Sequence, residues 1–176
     1  MIRALLALAF LVLSVDSLSA QWETAQGGNG RRDGFMETSG PARLRRGWTI
    51  DLHTQDPLQP IVGDGKVFFA HSPDFMSSDG ATVSAADLTT GEVLWSATVP
   101  LGDGLHPTPQ AYRDGVVYVM PTSWFLSNEF LYALDADTGA LLWQSEDAIM
   151  AHFYTSPLFL PNGDLLTDGR YVSGRG

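Results

Sequence analysis

Two eleven-residue stretches of this chain, Ala85 to Trp95 and Ala133 to Trp143, follow one pattern, A-x-D-x-x-T-G-x-x-x-W. They lie 48 residues apart, and Trp48 stands 47 residues before Trp95. A second marker keeps step: Asp64-Gly65, Asp114-Gly115 and Asn162-Gly163, with glycine offsets of 50 and 48. A third is Pro60, Pro109 and Pro157, offset by 49 and 48. Self-similarity at a fixed period of this size belongs to solenoids and propellers, in which each unit is one supersecondary element that buries its apolar face only by stacking on the next.

The unit reads as β-structure. Asp-Gly and Asn-Gly suit two-residue hairpins, because both turn positions of that hairpin need positive φ. Their flanks, Lys66 to Ala70 and Val116 to Met120, are β-branched and aromatic. A second hairpin follows in each unit, turning at Asp87 to Gly91 or Asp135 to Gly139. Its arms are Ala81 to Ala85 with Glu92 to Trp95, and Phe130 to Leu134 with Ala140 to Trp143. Two hairpins give four strands per period, the content of a propeller blade. The expected fold is all-β, with blades of four antiparallel strands in units near residues 60–95, 109–143 and 157–176. No stretch beyond the N-terminus shows helical periodicity.

These residues resemble the quinoprotein-type, or pyrrolo-quinoline quinone-like, β-propeller repeat, whose hallmark is this motif after a P-x-V-x-x-G-x-V-Y-V-type hairpin. Pro109 to Val119 with Ala133 to Trp143 form one copy, and Pro60 to Ala70 with Ala85 to Trp95 another. The segment Trp22 to Phe35, with Gly27, Gly28, Gly30 and Gly34, is similar to the stretch that precedes the first blade in such proteins. The resemblance implies that each tryptophan docks between blades, against the motif's alanine and turn glycine. Ala85, Asp87, Thr90, Gly91, Trp95, Ala133, Asp135, Thr138, Gly139 and Trp143 would then be structural, and Trp95 and Trp143 are expected to be buried at equivalent sites.

Met1-Ile2-Arg3, the apolar run Ala4 to Val15, and the small residues up to Ala20 have the layout of a secretory signal peptide. That run is shorter than the ~20 apolar residues that a membrane span needs. Cleavage is expected after Ala20, leaving residues 21–47 as a segment before the first blade and residues 48–176 as propeller repeats. The protein is expected to be exported, to the periplasm or the exterior, with no integral span after cleavage.

The chain has no cysteine, which excludes disulfides, thiolate catalysis and Cys-ligated metals. Two relatives implied by the resemblance differ here. The lipoprotein scaffold of outer-membrane β-barrel assembly carries a lipidated cysteine, and quinoprotein alcohol dehydrogenases carry an adjacent cysteine pair beside the cofactor. The net charge is −10, and removal of Arg3 and Asp16 with the leader leaves it unchanged. Such a chain repels phosphate backbones and anionic lipid, which argues against nucleic-acid binding. Arg43, Arg45 and Arg46 form the one basic cluster, read as a solvated entry segment in preference to an anion site.

Length bears on completeness. Residues 21–176 number 156, enough for two and a half to three blades at this period. Propellers have about 4–8, and the resembled family closes with about seven or eight. The chain is therefore expected to be a fragment of a longer one, with blade faces left open as apolar patches.

Signals for chemistry are few. There is no phosphate loop, G-x-S-x-G or H-E-x-x-H. Asp87 and Asp135 sit in turns, where a carboxylate bonds its own backbone. His53, His106 and His152 precede the marker prolines by 7, 3 and 5 residues. His106 and His152 are weak metal candidates, because that irregular register favours separate, individually hydrogen-bonded imidazoles. His71 opens one inter-hairpin loop, and the other, Pro121 to Glu129, carries the apolar run Trp124-Phe125-Leu126, a candidate partner-binding tip that could instead fold over the blade edge.

The residues together point to an exported propeller scaffold that binds a protein or small ligand on its loops or channel, with no catalytic residue and no cofactor of its own. The alternative is the N-terminal part of a quinone-dependent alcohol dehydrogenase, with pyrrolo-quinoline quinone and calcium held by sequence beyond this chain. A non-functional fragment is the third class, and fold alone does not choose among them.

Overall fold

Asp64 and Gly65 both take positive φ, 48° and 69°, and Asp114 and Gly115 do the same at 50° and 81°. Two tight hairpins result. The computed structural model describes residues 46–52, 60–72, 81–101, 106–122, 127–151, 157–167 and 170–172. Blade one is a four-stranded antiparallel sheet of β1 (Ile61–Gly63), β2 (Lys66–His71), β3 (Thr82–Asp87) and β4 (Val93–Ala97), in that order. Blade two repeats it with β5 (His106–Arg113), β6 (Val116–Thr122), β8 (Tyr132–Asp135) and β9 (Leu141–Gln144). A third sheet is formed by β11 (Leu158–Phe159), β12 (Leu165–Thr167) and β13 (Arg170–Val172). The described residues contain no helix. The chain is all-β and built of propeller blades.

The third marker turns differently from the expected two-residue hairpin. Leu158 pairs with Leu166 and Phe159 with Leu165, so five residues form the loop. Gly163 N–H donates to Leu160 C=O at 3.0 Å, and Leu160 N–H donates to Asp164 C=O at 2.8 Å. Only Gly163, at 89°, has positive φ here. Pro161 is the cause: its φ is fixed near −65°, which suits the second position of a type I turn and shifts the left-handed position onto Gly163.

Two further departures concern strands. The stretch Pro121 to Glu129 is not one loop: Pro121 and Thr122 extend β6, and β7 (Ser127–Glu129) pairs antiparallel with β10 (Ile149–Ala151). His71 is the last residue of β2, not a loop residue.

Three apolar layers stack along the chain. Trp48, Ile50 and Leu52 lie on Val67, Phe69 and Ala86 of blade one. The opposite face of blade one, with Ile61, Phe68, Val83 and Ala85, meets Tyr112, Val117, Val119 and Leu134 of blade two. Beyond it Met120, Leu131, Ile149 and Leu165 join blade two to the third sheet. Alternation along each strand supplies both faces, since neighbouring side chains point to opposite sides. Among the described residues the large exposed apolar side chains are Val93, Leu94, Leu141 and Leu142, at matching positions on the fourth strands of the two blades.

Candidate functional site

The repeated motif builds a junction between blades, and its polar residues build the turn. Asp87 Oδ1 accepts the N–H groups of Thr89 and Thr90 at 2.9 and 2.7 Å. Asp135 Oδ1 accepts those of Asp137 and Thr138 at 3.0 and 2.8 Å, together with the Thr138 hydroxyl at 2.8 Å. Thr90 and Thr138 hydroxyl oxygens accept the N–H groups of Glu92 and Ala140 at 3.2 and 3.3 Å. The Thr90 N–H and hydroxyl, then the Thr89 N–H, hold the Asp87 carboxyl below the usual range. The Thr138 hydroxyl and N–H lead the same effect at Asp135. Donors that favour the ionised form lower a carboxyl pKa in this way.

Gly91 and Gly139 end these turns with φ of 76° and 73°, and their missing side chains leave room for an indole. A Cβ on Gly139 would stand 2.6 Å from the Trp95 ring, and one on Gly91 would stand 2.6 Å from Trp48. Each indole Nε1–H reaches into the next unit: Trp48 donates to Leu88 C=O at 2.9 Å, and Trp95 to Ala136 C=O at 3.0 Å. Within its own sheet Trp95 lies opposite Ala85, and Trp143 opposite Ala133. The expected burial of Trp95 and Trp143 is not reached: both are half-buried, as is Trp48. Trp95 and Trp143 lie on the fourth strands of their blades, next to the exposed Leu94 and Leu142. Trp143 packs edge-on against Tyr118, with centroids 6.0 Å apart.

A bulge that the motif does not announce aims each tryptophan. Ala85 pairs with Trp95 but Ala86 pairs with Val93, which leaves Leu94 as the extra residue. Leu142 is the extra residue in blade two. A one-residue insertion of this kind re-aims the side chains beyond it.

His106 opens β5, buried, and its backbone C=O accepts the Thr122 hydroxyl at 3.3 Å. Thr108 and Thr122 hydroxyls bond at 2.7 Å beside it. Pro109 marks where that strand lies, but the Pro-Thr-Pro-Gln run carries no strand alternation, so its buried polar character does not show in the sequence. His53, His152 and Trp124-Phe125-Leu126 lie outside the described residues, as do the leader and residues 21–45. Among the described residues no three His, Asp or Glu side chains group as metal ligands would.

The family model for outer membrane protein assembly factor BamB matches residues 39–172. Among solved structures, a europium-containing methanol dehydrogenase superposes with a TM-score of 0.54 at 19% identity, covering 84% of this chain and 27% of that one. At that identity the likeness shows the fold alone, and the chain spans just over a quarter of the dehydrogenase's length. No curated protein matches the sequence.

Proposed function

The chain belongs to the family of outer membrane protein assembly factor BamB, and from that premise we propose that it is an exported binding scaffold serving the assembly of outer-membrane proteins. The supporting observation is the family match across residues 39–172, which takes in all the described blades. The use of the motif residues agrees with it. Asp87, Asp135, Thr90 and Thr138 serve their turns, and the tryptophans serve blade junctions, so the repeat itself contributes rigidity while loops remain to bind. The leader-like N-terminus supports a periplasmic location.

The second reading, part of a pyrrolo-quinoline quinone-dependent dehydrogenase, has the fold likeness as its support. A superfold hosts many activities, so that support is the weaker of the two. Among the described residues no group of His, Asp and Glu side chains would hold such an enzyme's metal ion.

Removing the gene and following outer-membrane barrels by heat-shifted gel mobility tests the proposal. Fewer folded barrels, restored by the full chain, are expected. Unchanged barrels would overturn it. N-terminal sequencing of the exported protein should begin at Gln21. Saturable quinone binding with alcohol oxidation by the full chain would replace the scaffold reading with the enzyme.

A further inference from the structure

The two blades differ at one point of their equivalent faces. In blade two, Tyr132 lies between Val119 and Gln144. It is 2% exposed, and its hydroxyl donates to Pro100 C=O at the exit of blade one. The register puts Ser84 at the same place in blade one, between Phe69 and Ser96. Thr82 likewise stands 48 residues before Phe130, and His71 stands 50 before Pro121. Aromatic bulk in one blade is thus replaced by small polar side chains in the other.

The space so freed is a cleft of about 230 Å³ lined by Asp51, Leu52, Phe69, His71, Thr82, Ser84, Val93 and Ser96. Phe69 and Ser84 form a buried floor, while Asp51, Val93 and Ser96 form an exposed rim. Ser84 and Ser96 hydroxyls bond to each other at 2.7 Å. Only one O–H is used in that bond, so the pair retains a donor and several lone pairs. An unfilled gap in a sheet face costs stability, yet here hydroxyls, a carboxylate and an imidazole line it.

We infer that this cleft binds a small neutral polyol, of the size and chemistry of a monosaccharide. Its volume is below the ~300–1,000 Å³ of drug-sized sites, which limits the ligand to about one sugar ring. Phe69, Leu52 and Val93 offer an apolar surface for C–H groups, and the Thr82, Ser84 and Ser96 hydroxyls with the His71 imidazole offer donors and acceptors for alcohols. The net charge of −10 disfavours an anion. Binding here is independent of the scaffold role.

The test is calorimetric or NMR titration of the full chain with D-glucose, D-galactose and glycerol. Saturable millimolar binding of at least one is expected. Ser84→Tyr, which installs the side chain of blade two, should abolish it while leaving the melting temperature equal or higher. Thr82→Val removes one hydroxyl at constant shape and should weaken binding about fivefold, the value of one ordinary hydrogen bond. It keeps the test decisive if the tyrosine variant fails to fold. No saturable binding of any probe, or binding that both variants leave unchanged, would overturn the inference. So would a folded Ser84→Tyr protein that melts lower than the parent, because the chain itself would then fill the cleft.

Discussion

The junction ahead of blade one and the junction between blades one and two use the same lock with different amounts of material behind it. In both, an indole N–H bonds to the carbonyl just after the motif aspartate, and the ring rests on the turn glycine. Among the described residues, what stands behind Trp48 is the segment 46–52, with Ile50 and Leu52 completing the cover. Behind Trp95 stands a whole sheet, and Phe68 lies 6.1 Å from its ring. Residues 46–52 therefore occupy the place that the fourth strand of a preceding blade would take. The motif sets how neighbouring units align, and the sheet face supplies most of the adhesion, since buried apolar area dominates such contacts.

Replacing the two tryptophans separates these contributions. Trp95→Ala should cost about 3 kcal/mol, the low end for a large aromatic because the ring is half-exposed. Trp48→Ala should cost less, about 1–2 kcal/mol, the value of partial burial and one hydrogen bond. Urea denaturation of both variants measures the gap. Equal losses would mean that the lock alone, and not the packing behind it, holds the junctions.

The glycines sharpen the comparison. Gly115 has positive φ and open space within 4 Å of where a Cβ would stand, whereas Gly139 has positive φ and the Trp95 ring at 2.6 Å. Gly115→Ala should therefore cost only backbone strain, about 1–2 kcal/mol. Gly139→Ala should cost about 1 kcal/mol or more beyond that as the indole is displaced, and Gly91→Ala should match it through Trp48. Tryptophan fluorescence should shift in the Gly91 and Gly139 variants and stay constant in Gly115→Ala.

Much of this junction is legible in the sequence because its parts are local or periodic. Asp87, Thr90 and Gly91 are bound by turn chemistry within five residues, and the 48-residue offset brings the second copy into view. What stays hidden depends on pairing between strands. The bulges at Leu94 and Leu142 exist only relative to Ala85 and Ala133. Pairing of β7 with β10 joins segments about twenty residues apart with no repeat to mark them. Pro161 is plain in the sequence, but the agreement of Asn162-Gly163 with the other two markers conceals its effect on the turn. Function is less legible still, because the motif spends its polar groups on its own backbone.

Acid should weaken both junctions through their turns. The Asp87 and Asp135 carboxyls are held below their unfolded value. Their contribution is therefore complete above the unfolded pKa, about 3.9, and is lost as pH falls through the folded value. Stability should be flat near neutrality in this respect and decline below about pH 4. The double variant Asp87→Asn, Asp135→Asn keeps a side-chain acceptor but does not titrate, so its acid decline should be shallower than the parent's. Parallel declines would place the acid sensitivity elsewhere.

The smallest effect should come from a contact that distinguishes the blade junction by charge. Lys66 Nζ lies 2.8 Å from Asp137 Oδ1 in the turn of blade two and 3.3 Å from Asp64 Oδ2 in its own hairpin. Val116 stands at the matching place in blade two, so the next junction lacks this ammonium. Burial pulls the Lys66 pKa down, but the Asp137 and Asp64 carboxylates outweigh it and leave it raised. A raised lysine contributes fully below its unfolded pKa, about 10.4, and loses that contribution only as pH rises through the folded value. At neutral pH the pair is therefore in full force, yet both carboxylates are largely exposed, at 68% and 76%, and solvent screens them. Lys66→Met keeps the half-buried stem and should cost less than about 1 kcal/mol. The loss should shrink further in high salt, where the Debye length falls to about 3 Å at 1 M. Denaturation midpoints of parent and variant at low and high salt measure it, and a large, salt-independent loss would show that the stem's packing, not its charge, joins the two blades.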